Sequence, residues 1–188
     1  MIEIVDYRPE WPAEFQIIAT KVRCMIGDLA VLLDHIGSTA VPGLAAKDVI
    51  DVQITAAEFS EELRQGLITL GYAHAVQITT DHRPPGDTSP DAHWQKWFFR
   101  APAGQRRTNT HVRLAGVANQ RYPLLFRDYL RAHPATAAAY GELKRRLAKE
   151  LRDTETYPDV KDPAVDLIYL AAKDWARDTN WQQSPSDA

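Results

Sequence analysis

The run His35-Ile36-Gly37-Ser38-Thr39-Ala40-Val41-Pro42-Gly43-Leu44 leads, by way of Lys47, into Val49-Ile50-Asp51-Val52-Gln53-Ile54. Glycine lets a backbone come close to a phosphate, and a hydroxyl with its neighbouring amides donates to the phosphate oxygens. A carboxylate on a rigid strand can hold a divalent cation that bridges those oxygens. Gly37, Ser38 and Thr39 are therefore a candidate phosphate-binding turn, Lys47 a candidate for neutralising charge, and Asp51 a candidate anchor for Mg²⁺ or Mn²⁺. Two other signatures fail on spacing. A P-loop needs lysine directly after its last glycine, and Lys47 is separated from Gly43. A nucleophile elbow needs glycine two places after serine, where Ala40 stands, so Ser38 is not expected to be a nucleophile. Without this context Asp51 also reads as a structural carboxylate paired with Arg113, and Gly37, Pro42 and Gly43 also read as a plain sharp connection.

Further polar groups share directions with this core. In Thr108 to Leu114, Asn109, His111 and Arg113 alternate with Thr110, Val112 and Leu114, which makes either a pocket wall or a solvent-facing sheet edge. His111 is a candidate metal ligand or proton-transfer group and Arg113 a candidate phosphate contact. Gln53 falls on the same strand face as Asp51, His35 precedes the glycine turn, and Asp81, His82 and Arg83 stand at a strand end beside a proline-rich loop. All five join the candidate pocket, with solvated loop charge as the other reading of the last three. His35, His74, His93 and His133 have no metal-ligand spacing relative to one another.

The elements that must position these groups follow from periodicity. Trp11, Phe15, Ile18, Val22, Met25 and Leu29 predict an amphipathic helix weakened in its last third by Gly27. A strand rises from Leu32 into Gly37-Ser38, and Ile50, Val52 and Ile54 put a second strand's apolar side opposite Asp51 and Gln53. Ser60 to Leu70 reads as a helix stopped by Gly71, and Tyr72 to Thr79 and Trp94 to Arg100 as strands around the irregular, mobile loop Asp81 to Pro90. Leu124 to Ala132, Pro134 to Leu151 and Asp162 to Arg177 predict helices, where Phe126, Tyr129, Tyr140 and Trp175 are core residues.

At 188 residues with 45% hydrophobic and 25% charged residues, the chain is expected to form one domain over 1–181. Its sheet-containing part is 1–118, its helical part 119–181, and the polar segment 182–188 reads as a flexible tail. A net charge of −3 offers no general field for a nucleic acid backbone, so none is expected as partner. The lone cysteine, Cys24, excludes an internal disulfide or a cysteine-based zinc site. Met1-Ile2-Glu3-Ile4-Val5-Asp6 has no basic leader or apolar signal core, and no apolar run would span a membrane, so the expected location is the cytoplasm.

Over most of its length the chain resembles the GrpB family. The likeness lies in Tyr7-Arg8-Pro9-Glu10-Trp11-Pro12 with Phe15, His35 to Gln53, Asp81-His82-Arg83, Asn109 to Arg113, Phe126-Arg127-Asp128-Tyr129-Leu130-Arg131-Ala132-His133-Pro134, and Tyr157 with Lys161. The resemblance implies an α/β (α+β) fold: a nucleotidyltransferase-like, polymerase-β-type mixed sheet flanked by helices, with a helical C-terminal region. It also implies a link to dephospho-CoA kinase, to which some members are fused, and a pocket closed from the C-terminal side by Tyr157 and Lys161. In active transferases the strand of Asp51 carries a second carboxylate two places on and a neighbouring strand a third. Gln53 and His111 stand there in this chain. Two-metal transfer needs cations about 3.5–4 Å apart, and an amide and an imidazole are poorer Mg²⁺ ligands than carboxylates. Two expectations follow: a nucleotidyl or phosphoryl transferase acting on a nucleotide or phosphorylated small molecule, with Asp51 and His111 catalytic, or a non-catalytic ligand-binding or partner module that has lost metal-binding carboxylates.

Overall fold

Five strands form one mixed sheet in a computed structural model that describes residues 2–151 and 156–188. They are β1 (Leu32–Ile36), β2 (Ile50–Ala56), β3 (Ala73–His74), β4 (Trp97–Arg100) and β5 (Thr108–Leu114), in the order β1-β2-β5-β4-β3. The central β2–β5 pair is parallel and every other pairing antiparallel. Around the sheet lie α1 (Trp11–Ile26), α2 (Glu61–Thr69), α3 (Ala118–Ala132), α4 (Pro134–Glu150) and α5 (Tyr157–Asp178). This is the expected mixed sheet flanked by helices, with the helices α3 to α5 gathered at the C-terminal side. Met1 lies outside the described residues.

Alternation gives the sheet two unlike faces. Leu33, Ile50, Val52, Ile54, Phe99 and Val112 are buried in one core with Trp11, Phe15, Val22 and Ile26 of α1 and Leu63 and Leu67 of α2. Burial of that surface, worth roughly 25 cal/mol per Å², anchors the sheet. α1 is held at its start by Pro12 and stops at Gly27, whose φ of +52° a side chain would strain. α2 begins at Ser60, whose Oγ accepts from the Leu63 N–H at 3.2 Å. The other face carries Asp34, Ile36, Asp51, Gln53, Asn109, His111 and Arg113, since cross-strand partners such as Asp51 and Asn109 share a side. A second core joins Leu125, Tyr129, Leu130, Tyr140 and Tyr169 of the C-terminal helices to Val41 and Leu44, so the turn after β1 is clamped between the sheet and the helical cap.

Four elements differ from their sequence patterns. The strand expected over Tyr72 to Thr79 is confined to Ala73–His74, because the Ile78 N–H bonds back to the Ala75 carbonyl and turns the chain off the sheet edge. Asp91–Trp94 is a 3₁₀ turn, which delays β4 to Trp97. α3 starts at Ala118 rather than Leu124 and holds Pro123 in its interior, while α5 starts at Tyr157 rather than Asp162, with Pro163 inside. Loop Asp81 to Pro90 is irregular as expected, and it is tied internally by Arg83 Nε to Asp87 at 3.1 Å and by the Ser89 N–H to Asp87 at 3.0 Å. Segment 182–188, read from its polarity as a fraying tail, has no regular structure and lies on β1: the Ala188 N–H donates to the Leu33 carbonyl at 3.1 Å and the His35 N–H to Asp187 Oδ2 at 2.9 Å. No described helix is long and apolar enough to cross a membrane.

Candidate functional site

Between the polar sheet face and the C-terminal helices lies a pocket of about 360 Å³, within the usual size of small-molecule sites. Its floor is the Gly37-Ser38-Thr39 turn and the start of β2. Gly37 has φ +72°, and a Cβ built on it would overlap Asp51 Oδ2, with Asp51 Cγ only 2.9 Å away. Only glycine lets the turn and the carboxylate meet. Asn109, opposite Asp51 on β5, donates to Asp51 Oδ1 at 2.8 Å. Burial raises the Asp51 carboxyl, against the lowering effects of that hydrogen bond and of Lys161, Arg113 and Lys144.

The helices supply the cations. Tyr157, Lys161 and Val165 recur at four-residue steps along α5 and line one wall, and Tyr140 and Lys144 do the same on α4. Lys47 lies over the Tyr157 ring, 4.1 Å from its centroid. Lys144 donates to Ser38 Oγ at 2.7 Å and is only 4% exposed. Burial, reinforced by the Lys161 ammonium and only partly offset by Asp51, brings Lys144 down to about 7. Lys47 is lowered by burial and then by Lys161. Three lysine side chains thus line the pocket beside one carboxylate, with Tyr122, Phe126, Tyr140 and Tyr157 as an aromatic wall.

Of the residues singled out in the sequence, Gly37, Ser38, Thr39, Lys47, Asp51, Asn109, His111, Tyr157 and Lys161 line this pocket. Six do not. His35 turns to the other sheet face, stacks on Phe15 at 4.8 Å and contacts Thr39 Oγ1 at 3.0 Å; burial, then Arg131 and Arg127, lower it to about 3. Gln53 is fully buried, donating to the Gln120 carbonyl at 3.0 Å and accepting from Arg113 Nη1 at 2.7 Å. Arg113 is 4% exposed and forked onto Asp81, Nε to Oδ2 at 2.7 Å and Nη2 to Oδ1 at 2.9 Å, so it serves a buried network rather than the pocket surface. Asp81 also receives Lys96 Nζ at 2.6 Å and Asn119 at 2.9 Å; although burial raises its carboxyl, Arg113 and Lys96 hold it well below the usual range. His82 reaches Asp166 of α5 at 2.8 Å, and Arg83 reaches Asp91 at 2.9 Å. Lys144 was not singled out in the sequence. Its signal is a charge within the buried stripe Ala137, Tyr140, Gly141 and Lys144 of α4.

His111 Nδ1 lies 3.3 Å from Arg113 Nη2 and 3.4 Å from Lys96 Nζ, both donors, so Nδ1 is the acceptor and the ring is neutral. Burial, then Arg113 and Lys96, push its basicity well below the ordinary value.

The donor set does not fit a pair of divalent cations. Asp51 is the sole carboxylate among the described lining residues, the amide of Gln53 is engaged on both sides, and His111 sits among cations. Among the described residues no three His, Cys, Asp or Glu side chains come together as a metal cluster. Lysines around a concave, partly apolar space fit an anion instead, since each desolvated ammonium gains most from a charged acceptor.

A family model described as GrpB protein matches residues 1–170. A dephospho-CoA kinase of Mycolicibacterium paratuberculosis is 36% identical over 196 residues, which cover 96% of this chain and 48% of the relative. The chain therefore spans about half the length of that relative and of the kinase-named mycobacterial relatives beside it. UPF0157 protein BH1888 of Halalkalibacterium halodurans is 32% identical, with 91% of this chain and 82% of the relative covered. The crystal structure of the conserved protein GrpB from Enterococcus faecalis superposes with a TM-score of 0.71 at 27% identity, covering 92% of this chain and 99% of that one.

Proposed function

This chain belongs to the GrpB family, and from that premise we propose that it binds the phosphate of a nucleotide or phosphorylated small molecule directly on lysines, as a ligand-binding module rather than a two-metal transferase. The observation that carries this reading is the charge balance of the pocket lining, Lys47, Lys144 and Lys161 with Asp51 as its one carboxylate, Asp162 reaching Lys161 from outside the lining at 3.6 Å. In a metal-dependent transferase the protein supplies carboxylates and the cations supply positive charge. Here the protein supplies the positive charge itself. The Gly37 turn brings Ser38 within reach of the same anion, Asp51 partly offsets the charge of Lys47 and Lys144 between ligands, and the aromatic wall receives the uncharged part of the ligand.

Calorimetric titration with ATP, in excess EDTA and then in Mg²⁺, tests the reading. Binding should persist without metal, and Lys161→Ala should weaken it about tenfold, the effect of one lost charge-assisted contact. Binding that requires Mg²⁺, or no binding at all, would reject it. The kinase-named relatives make dephospho-CoA the second ligand to titrate, and we propose dephospho-CoA kinase as a partner; a pull-down that fails with that kinase removes the partnership and leaves the pocket reading untouched.

A further inference from the structure

Phosphate binding does not require the contact between Ser38 and Lys144. Ser38 lines the pocket with partial solvent access, and Lys144 Nζ lies 2.7 Å from its Oγ. Lys144 forms no ion pair among the described residues. It packs over the Tyr140 ring at 4.5 Å, and the charged groups acting on it are Lys161 from α5, Asp51 from β2 and Arg145 from its own helix. A primary amine that is buried, beside another ammonium and without an ion-paired carboxylate, is driven toward its free base. As a free base, Nζ accepts the hydroxyl proton across the same contact. Serine activated by lysine is a known variant of the nucleophile–base pair and needs no glycine elbow.

We propose that Ser38 is a nucleophile and Lys144 its general base, acting on a carboxylic–phosphoric mixed anhydride whose phosphate rests on Lys47 and Lys161. The proposal rests on the phosphate-binding reading only for the orientation of that substrate. Ser38 Oγ gives its proton to Lys144 Nζ and bonds to the acyl carbon. The carbon–oxygen bond to phosphate breaks, and phosphate leaves with the electron pair. Lys144 releases its proton to solvent, then takes a proton from the water that attacks the acyl-serine ester and passes it to the departing Ser38 Oγ. The sum is hydrolysis of the anhydride to a carboxylate, hydrogen phosphate and a proton. A mixed anhydride suits the site because its acyl carbon is uncharged, whereas phosphorus in a bound phosphate is shielded by anionic oxygens. Its leaving group is also the anion that the lysines already hold.

Acetyl phosphate is the probe. It also acetylates lysine amines, but a serine ester is cleaved by hydroxylamine and a lysine amide is not. Intact-mass and peptide mapping should find a hydroxylamine-labile acetyl group on Ser38 of the full chain, absent in Ser38→Ala. The rate should fall at least about a hundred-fold in Lys144→Arg and in Lys144→Met, the scale of lost general-base catalysis. In the wild type it should climb as Lys144 deprotonates and then level off. Melting curves establish that the variants are folded, and rates are compared at saturating acetyl phosphate, so that weaker anion binding in the Lys144 variants does not enter. Acetylation confined to hydroxylamine-stable amides, or ester formation that Lys144→Arg leaves unchanged, overturns the proposal while the binding reading stands. A Ser38 ester formed by a chain that binds no ATP would overturn the binding reading alone.

Discussion

Gly37 and Gly43 stand on the same turn, both with positive φ, +72° and +77°, yet they answer to different constraints. A side chain at Gly43 meets nothing within 4 Å, so Gly43→Ala carries only the backbone strain, about 1 kcal/mol. A side chain at Gly37 carries the same strain and also collides with the Asp51 carboxylate. Gly37→Ala is therefore expected to cost roughly 2–3 kcal/mol in a urea unfolding curve and to weaken ATP binding, whereas Gly43→Ala leaves binding close to wild type. Equal costs at the two positions would mean that the approach of Asp51 to the turn is not a constraint. At this scale the sequence carries much of the pocket, because glycine, hydroxyl and carboxylate have distinctive spacing around a turn. It carries depth poorly. Asp51 and Gln53 share a face by alternation, but Gln53 lies farther along β2, where the Gln120 carbonyl of α3 covers it, and no periodicity of β2 reveals what a distant helix covers. The burial of Arg113 is hidden from the sequence for the same reason, since Asp81, its partner, reaches it from a loop distant in the chain.

Of the three helices that close the pocket, the sequence locates the start of α4 and mislocates those of α3 and α5. The sequence pattern predicts α5 from Asp162; its start at Tyr157 puts Tyr157, Lys161 and Val165 on one wall. An interior proline is tolerated here because tertiary packing outweighs the lost hydrogen bond. The segment 182–188 makes the same point, because composition alone reads it as solvent-borne. Asp187 instead supplies a partner to Arg127, which is 1% exposed and also donates to the His35 carbonyl at 2.9 Å and to Asp128 at 2.8 Å. The Arg127 Nη1 to Asp187 Oδ2 contact is 2.6 Å. Removing one acceptor from a buried guanidinium costs about 1–3 kcal/mol. Asp187→Ala should therefore lower the unfolding free energy from a urea curve by that amount, and the midpoint with it, while Asp174→Ala, which loses only an exposed pair with Arg177, should leave both within experimental scatter. Equal midpoints for Asp187→Ala and wild type would detach the segment from β1.

Across the whole molecule, the buried cations set how stability depends on pH. Lys144 is lowered to about 7, and Lys96 and Lys47 are lowered as well, in each case first by burial. A lysine whose folded value is depressed binds fewer protons folded than unfolded at every pH between the two values. Stability must therefore rise with pH across that window, here from about 7 toward the unfolded value near 10.4. The buried tyrosines act in the opposite sense above it. Tyr157 is raised to about 12 by burial, and Tyr122 and Tyr140 are also raised, so the unfolded chain loses phenol protons first and stability falls as pH passes about 10. The two effects place the stability maximum at about pH 9 to 10, more alkaline than the interval of pH 5 to 8 common among proteins. Melting temperatures across pH 6 to 11 should trace that rise and fall. Lys144→Met should remove most of the rise, gaining on the order of 1–3 kcal/mol at pH 7 and little at pH 10. Triphosphate should have the converse effect, stabilising wild type most below pH 7, where Lys144 keeps its proton beside the anion. The same additive should lose that pH dependence in Lys144→Met. A maximum that stays near neutrality in wild type would mean that Lys144 retains an ordinary affinity for its proton, and with it a charge the pocket does not perturb.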